Sequence, residues 1–141
     1  MNDTSASSRF ELCDYSGLLS HDSLNHPSAR ARKGKFMLVE RAGTIYLIMG
    51  TIGFYEYHAD LLAKFCTDHQ LAYHWVGRPA NLAIGDTSVK LHGGGWVQVD
   101  PEQKQVTFSG RSTAYGGYER SMLELVLKQI PVSDVVTVTL G

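Results

Sequence analysis

The sequence of 141 residues has little of what several protein classes require. Its two cysteines, Cys13 and Cys66, are too few for a disulfide framework, so we expect free thiols in a reducing compartment. No apolar run approaches the roughly 20 residues that span a bilayer, and the N-terminus lacks the basic start and apolar stretch of a secretory signal. We therefore expect a cytoplasmic protein that does not associate with membranes.

An excess of charge of one sign is also missing. The chain has 13 Lys and Arg against 14 Asp and Glu, for a net charge of −1. Such a chain has no general positive field to attract nucleic acid, so any bound phosphate must meet local positive charge. A hydrophobic fraction of 43% and a charged fraction of 19% are typical of a folded globular domain, which we expect to be a monomer.

Several signatures of catalysis and ligand binding are absent. The ordered part of the chain has histidines at 58, 69, 74 and 92, but without the short His or Cys spacing of a zinc site. No Gly-Lys-Ser/Thr follows a glycine-rich loop, so nucleotide binding through a P-loop is not supported. No serine lies in a nucleophile elbow, which disfavours a Ser-His-Asp hydrolase.

The composition divides the chain in two. Residues 1–33 are rich in Ser, Asp, Asn and His and predict a flexible N-terminal arm. The arm ends in the basic cluster SARARKGK (28–35), for which a solvated linker is favoured over a surface that contacts a partner. Residues 34–141 are predicted to form one domain.

The domain alternates strand and helix patterns. Strands are predicted for KFMLVER (35–41), IYLIMG (45–50), AYHWV (72–76), VKLHGGGWVQVD (89–100), QVTFSG (105–110) and DVVTVTL (134–140), and a loop for GRPANLAIGDTS (77–88). Apolar residues at helical spacing predict two helices, with Leu61, Leu62, Phe65 and Cys66 in the first and Met122, Leu123, Val126, Leu127 and Ile130 in the second. Pro131 would end the second helix. We predict an α+β fold in which a single mixed six-stranded sheet carries one helix on each face and consists of two β-β-α-β halves.

The stretch EYHAD (56–60) places a histidine where a strand pattern changes to a helix pattern. Asp60 is favourable in a first helical turn, where unpaired N–H groups attract negative charge. His58 could be a hydrogen-bonded packing residue, a metal ligand, or a catalytic base or nucleophile. The helix dipole disfavours imidazolium, so the ring should be neutral near pH 7, as a base or nucleophile requires.

Two further stretches are candidates for a site. In GRSTAYGGY (110–118), backbone N–H groups of a small-residue turn ahead of a helix can bind an anion, although a capped loop is the favoured explanation of this stretch taken alone. In HGGGW (92–96), three glycines interrupt a strand. They indicate a bulge, a sharp bend, or close approach of the backbone to a ligand or helix.

Together these stretches resemble the Janus/Ocnus family, whose best-known members are small phosphohistidine phosphatases. The resemblance covers residues 35 to about 131. EYHAD is similar to the family's histidine motif, GGG (93–95) to its glycine triplet, and S-T-A-Y-G (112–116) to its phosphate loop. Each motif is short, but their order and spacing make the set specific.

The resemblance implies a function and a set of residues. His58 would be the catalytic histidine, Lys35 would contact the phosphate or substrate, and the amides around Ser112, Thr113 and Ala114 would hold phosphate oxygens. No metal or other cofactor would be needed, and the substrate would be a phosphorylated protein or a small phosphoramidate. The fold that the family implies is a six-stranded mixed sheet with two helices.

Two positions differ from the animal phosphatases of the family, which carry arginine where this chain has Gly50 and Trp96. Arg111, Lys90 or Arg78 could supply positive charge instead. The first hypothesis is therefore a metal-independent phosphatase acting on the N–P bond of phosphohistidine. The second is a module of the same family that binds phosphate or phosphoprotein with weak or no turnover.

Overall fold

The computed structural model describes residues 9–20, 30–77, 81–129 and 137–141. Two helices lie within these ranges, α1 (His58–Asp68) and α2 (Arg120–Gln129). The strands of the same ranges are β1 (Arg9–Asp14), β2 (Arg32–Arg41), β3 (Thr44–Thr51), β4 (Tyr73–Trp75), β5 (Leu82–Ile84), β6 (Lys90–Asp100), β7 (Gln105–Ser109), β8 (Arg111–Ser112), β9 (Gly116–Gly117) and β10 (Thr137–Leu140).

The main sheet has eight strands, in the order β1-β3-β2-β6-β7-β10, with β9 beside β6 and β8 beside β9. It is mixed, because β1 pairs with β3, β10 with β7 and β9 with β6 in parallel, whereas β2 pairs antiparallel with both of its neighbours. A separate sheet of two strands consists of β4 and β5.

The two sides of the main sheet carry different hydrophobic clusters, because successive side chains of a strand point to opposite faces. Phe36 and Leu38 of β2 pack with α2, whereas Met37 and Val39 pack with α1. The α2 side also contains Leu123, Val126 and Leu127, and the α1 side contains Leu61, Leu62 and Phe65. The helices therefore cover opposite faces, and the core lies on both sides of β2 and β3.

The predicted α+β class with two helices is confirmed, but the predicted single six-stranded sheet of two β-β-α-β halves is wrong. The structure has an eight-stranded sheet and a second sheet of two strands. Three of the strands that the prediction missed (β5, β8 and β9) have only two or three residues. Segments so short cannot show the period of two by which a strand is recognised in a sequence.

The remaining missed strand, β1, lies in the predicted flexible arm. All six residues of β1 pair with β3, and Leu18, which follows β1, is completely buried in the α2-side cluster. Asp14 accepts hydrogen bonds from the backbone N–H groups of Leu18 and Leu19 at 2.8 and 2.7 Å, which closes the turn after the strand. The arm residues 1–8 and 21–29 lie outside the described residues.

The basic cluster at 28–35 is also placed differently from the prediction. Its residues from Arg32 onward belong to β2, the central strand between β3 and β6, and are not a solvated linker. Ser28 and Ala29 of the cluster, and Ile130, Pro131 and 134–136 of the predicted second helix and last strand, lie outside the described residues. Among the residues that are described, no helix is long and apolar enough to cross a membrane.

Candidate functional site

His58 is the first residue of α1 and follows an extended N-cap residue, Tyr57, with φ −122° and ψ 151°. The backbone N–H of Tyr57 donates to the carboxylate of Asp60 at 3.0 Å. Asp60 therefore stabilises the helix start, which confirms the structural interpretation of this residue. Since the cap determines where the helix begins, it also determines the position of the His58 side chain.

The ring of His58 is held by a backbone carbonyl. Its side chain is buried (6% exposed), and its Nε2 lies 2.9 Å from the oxygen of Gly95. A carbonyl oxygen can only accept, so Nε2 carries the hydrogen and Nδ1 of the neutral ring carries the lone pair. Burial lowers the pKa of His58, and the charge of Lys35 lowers it further, against the opposing effect of the bond to Gly95. The ring is therefore a neutral base at pH 7.

The glycine triplet gives this ring its space. A Cβ at Gly94 would lie 3.0 Å from Cδ2 of His58 and would overlap the backbone oxygen of Phe36. Gly93 has a φ of +80°, and a Cβ there would overlap the oxygen of Gly117. The register between β2 and β6 also shifts at this point, which is a bulge. Both a bulge and close approach to a helix, two of the predicted reasons for the triplet, are found.

The turn at 112–114 is tied at both ends. Ser112 is completely buried, and its Oγ accepts a hydrogen bond from the backbone N–H of Tyr115 at 3.1 Å. The hydroxyl of Tyr115 in turn accepts from the backbone N–H of Leu82 in β5 at 3.0 Å. These bonds fix the turn against the small second sheet and leave Thr113 and Ala114 exposed. The Ser112 hydroxyl is thus part of the loop's own structure.

One cleft of about 410 Å³ brings these elements together. Its lining residues are Lys35, Tyr57, His58, Asn81, Trp96, Arg111, Ser112, Thr113 and Ala114. The six residues predicted as site residues from the sequence, His58, Lys35, Arg111, Ser112, Thr113 and Ala114, all lie in this lining. The structure brings them together from β2, α1, β8 and the turn after β8; their chemical roles stay predictions.

The charged side chains of the lining are both positive. Lys35 donates to the backbone oxygen of Glu56, and burial lowers its pKa while Asp60 and Glu56 act in the opposite direction. Arg111 is exposed at the other side of the cleft. Among the described residues, neither cation takes part in an ion pair with a carboxylate. The cleft is therefore suited to an anion.

The two positions at which the predicted resemblance to animal phosphatases implies arginine, Trp96 and Gly50, have different surroundings. Trp96 lines the cleft and pairs with Lys35 across β2 and β6. Gly50 lies under the ring of Tyr55, where any Cβ would overlap that ring. Of the proposed substitutes for the missing arginines, Arg111 lines the cleft and Lys90 does not, and Arg78 lies outside the described residues.

Tyr57 and Asn81 are lining residues that the sequence interpretation missed. Tyr57 has a local signal, because it directly precedes His58 at the helix start. Asn81 has none, since it lies in the predicted loop and reaches the cleft only through the pairing of β4 with β5. No cluster of three or more His, Cys, Asp or Glu side chains that could hold a metal ion is found in the described parts of the chain.

Comparison with protein families gives one match. The family model described as Janus/Ocnus family (Ocnus) matches residues 35–132. This range begins at Lys35 and includes the other residues that line the cleft. No curated protein matches the chain.

Proposed function

The chain belongs to the Janus/Ocnus family, and from this premise we propose that it is a metal-independent phosphatase that hydrolyses the N–P bond of phosphohistidine or a related phosphoramidate. One observation carries the proposal. The buried, neutral His58 has its Nε2–H on Gly95, so that Nδ1 is free to react in a cleft that contains two cations and the exposed turn residues Thr113 and Ala114. Among the described residues, no hydrogen bond to Nδ1 competes with this role.

The positive side of the cleft would bind the phosphoryl group. Lys35 and Arg111 would contact its oxygens, together with the backbone N–H groups around Ser112, Thr113 and Ala114. Donors that are already in place when negative charge grows on the transferring group stabilise the transition state without reorganising. The bond between Ser112 and Tyr115 supports the proposal, because it holds the turn in one conformation before substrate arrives.

His58 can act by either of two routes. As a nucleophile, Nδ1 attacks phosphorus, the N–P bond breaks, and the substrate imidazole leaves with a proton taken from solvent. Water then cleaves the phosphorylated His58 to inorganic phosphate and the free ring. As a general base, Nδ1 takes a proton from water while the water oxygen bonds to phosphorus and the N–P bond breaks. The leaving imidazole takes a proton from solvent, and His58 releases its own proton to solvent. Both routes need the neutral ring with its lone pair on Nδ1. They differ in whether His58 is phosphorylated during turnover.

The test is hydrolysis of phosphohistidine and phosphoramidate in the presence of a chelator. We expect His58→Ala and His58→Gln to lower kcat/KM at least 100-fold, because a positioned base or nucleophile contributes about 10²–10⁴. The glutamine amide can still donate to the oxygen of Gly95, so this variant keeps the local structure. The matched control is His74→Ala, at an exposed histidine of β4 outside the cleft. Undiminished activity in both His58 variants would exclude the assigned role.

The two routes are separated by rapid quenching into base, where phosphohistidine is stable. A protein heavier by one phosphoryl group, absent in His58→Gln, would establish the nucleophilic route. Turnover without any phosphorylated enzyme at any quench time would favour the general-base route. The substrate is a phosphorylated protein or a small phosphoramidate, and we place the reaction in the cytoplasm, where the two cysteines would remain thiols.

The second candidate function is a phosphate-binding module of the same family without turnover. Trp96, which lies in the cleft where animal members carry an arginine, is the observation in its favour. This function predicts saturable phosphate binding, seen as shifted amide resonances of Thr113 and Ala114, with no hydrolysis of any phosphoramidate. Hydrolysis that His58→Gln abolishes would exclude it.

A further inference from the structure

The indole ring of Trp96 has two lysine neighbours. The ammonium of Lys33 lies 4.2 Å from the ring centroid, and that of Lys35 lies 4.9 Å from the same centroid. Both distances are within the range of cation–π attraction, which orients an ammonium group without neutralising it. Trp96 therefore brings a second cation, Lys33, beside the cleft that contains His58.

This arrangement follows from the strand register. Lys33 and Lys35 are two residues apart in β2, so their side chains point to the same face of the sheet. On the neighbouring strand β6, Trp96 pairs with Lys35, and Gln98 pairs with Lys33. The last two lysines of the basic cluster thus form a ladder on one face of β2, with Lys35 in the lining of the His58 cleft and Lys33 in the lining of a second cleft.

Lys33 provides one positive charge more than a bound phosphoryl dianion requires. Among the described residues, no ion pair includes Lys33, Lys35 or Arg111. A phosphoryl dianion would be matched in charge by Lys35 and Arg111, the two cations of the cleft lining. Lys33 would remain for a further negative group of the substrate.

A second cleft of about 360 Å³ has Lys33 in its lining and provides space for that group. Gln98, Gln105 and Thr107 line it along β6 and β7, and its charged lining residues are Lys33, Arg32 and one carboxylate, Asp100. These side chains are polar and can bond to a polypeptide. Lys33 and Lys35 are separated by about 7 Å, the distance between alternate residues of any extended chain. In an extended substrate chain that lies along the ladder, two residues that are two positions apart would therefore contact Lys33 and Lys35.

We propose that Lys33 and Trp96 form a second anion subsite, which binds the carboxylate of an acidic residue two positions from the phosphohistidine in an extended polypeptide. The inference rests on the proposed function and narrows its substrate to a phosphorylated protein with an acidic neighbour. Lys33 supplies the charge, and Trp96 is a positioning residue that keeps the ammonium beside the cleft.

The test measures binding, so that it does not depend on turnover. The probes are two extended peptides with a non-hydrolysable phosphonate analogue of phosphohistidine, one with Glu and one with Gln two positions away. We expect the wild-type chain to bind the Glu peptide about three- to fivefold more tightly at low ionic strength, as for an exposed ion pair, and the preference to shrink with added salt. Placing the Glu before or after the analogue gives the direction of the bound chain.

Substitutions test whether Lys33 and Trp96 cause the preference for the Glu peptide. Lys33→Gln should abolish it, and Lys33→Glu should reverse it toward a peptide with Lys at the same place. Trp96→Leu should reduce the ratio more than Trp96→Phe, which keeps an aromatic face for the ammonium. Lys128→Gln, at an exposed lysine near the end of α2, is the matched control and should leave the ratio unchanged.

The outcomes separate this inference from the proposed function. Equal affinity of the wild-type chain for the Glu and Gln peptides, in both orientations, would overturn the subsite even if phosphohistidine is hydrolysed. A preference that Lys33→Gln leaves intact would also overturn it. A preference that Lys33→Gln abolishes, in a chain that hydrolyses no phosphohistidine, would support the subsite and overturn only the catalytic proposal.

Discussion

The imidazole of His58 lies directly on Gly94, a residue of the adjacent strand β6. No side chain can replace the hydrogen of this glycine without overlapping the backbone oxygen of Phe36 and crowding Cδ2 of His58 at 3.0 Å. The floor under the ring is thus made of backbone, and the carbonyl of the next residue, Gly95, binds the same ring. The position of His58 depends on two glycines that are 36 and 37 residues away in the sequence.

Gly94→Ala is expected to destabilise the fold by about 1–3 kcal/mol, the usual cost of forcing extra atoms into a packed interior. It should also displace the His58 ring and so lower activity in the molecules that remain folded. Thermal or urea unfolding measures the first effect, and the chemical shift of the His58 ring measures the second. Gly117→Ala, whose Cβ would meet only the Cβ of Arg111 at 3.9 Å, is the control and should change stability little. Equal stability of the two variants would contradict the packing argument.

The activity is expected to rise with pH through the pKa of His58 and to level off above that pKa. The pKa of His58 lies below its ordinary value of about 6.5, mainly because the ring is buried. The reactive form is the neutral one, so protonation at lower pH removes it. The pH profile of kcat/KM is compared with an NMR titration of the His58 ring. We expect the rise in kcat/KM and the deprotonation of the ring to occur at the same pH.

The same group makes the fold less stable in acid. Below about pH 6.5 the unfolded histidine binds a proton that the folded one resists, so the free energy of unfolding falls as the pH drops toward the folded pKa. His58→Gln should remove this part of the pH dependence. Unfolding curves between pH 5 and 7 on both proteins measure it, and identical slopes would contradict a lowered pKa.

Lys35→Met is expected to raise the pKa of His58, because the ammonium of Lys35 is one of the causes that lower it. The variant should also bind phosphate more weakly, since one of the two cations of the cleft is lost. NMR titration of the ring measures the first effect, and titration of amide resonances with phosphate measures the second. Lys128→Met should change neither. A downward shift of the His58 titration would show that Lys35 acts on the ring in another way.

Ser112→Ala is expected to affect mainly the stability of the fold, whereas Thr113→Ala is expected to affect mainly phosphate binding. Removing the buried Ser112 hydroxyl leaves the N–H of Tyr115 without its acceptor, which should cost about 1–3 kcal/mol of stability. Thr113 is exposed at the cleft, so loss of its side chain should leave stability within about 0.5 kcal/mol. The same change removes a hydroxyl donor beside the backbone N–H groups of the turn, so it should weaken phosphate binding. Unfolding curves and phosphate titrations on both variants test the pair. A stable Ser112→Ala variant would show that the turn does not need this bond.

Some elements of the fold could be predicted because their signals are local. The period of apolar residues indicated both helices, and the β-branched and aromatic runs indicated β2, β3, β6 and β7. Strand β1 also alternates, with Phe10 and Leu12 packed on the α2-side cluster, but its six residues lie in a polar stretch. Its partner, β3, is distant in the chain, so only the parallel pairing distinguishes the strand from a mobile arm.

Local patterns in the sequence were sufficient to predict the two helices, the central strands and the cap at Asp60, and to select His58, Lys35 and the 112–114 turn as site candidates. These follow from periodicity, from backbone groups left unpaired at a helix start, and from motifs in order along the chain. Three features appeared only in the folded chain. A carbonyl of β6 selects the tautomer of His58, and Asn81 reaches the cleft. The ammonium groups of Lys33 and Lys35 both lie near the ring of Trp96. Strand pairing, which brings together residues far apart in the chain, is the physical reason, because no local pattern encodes it.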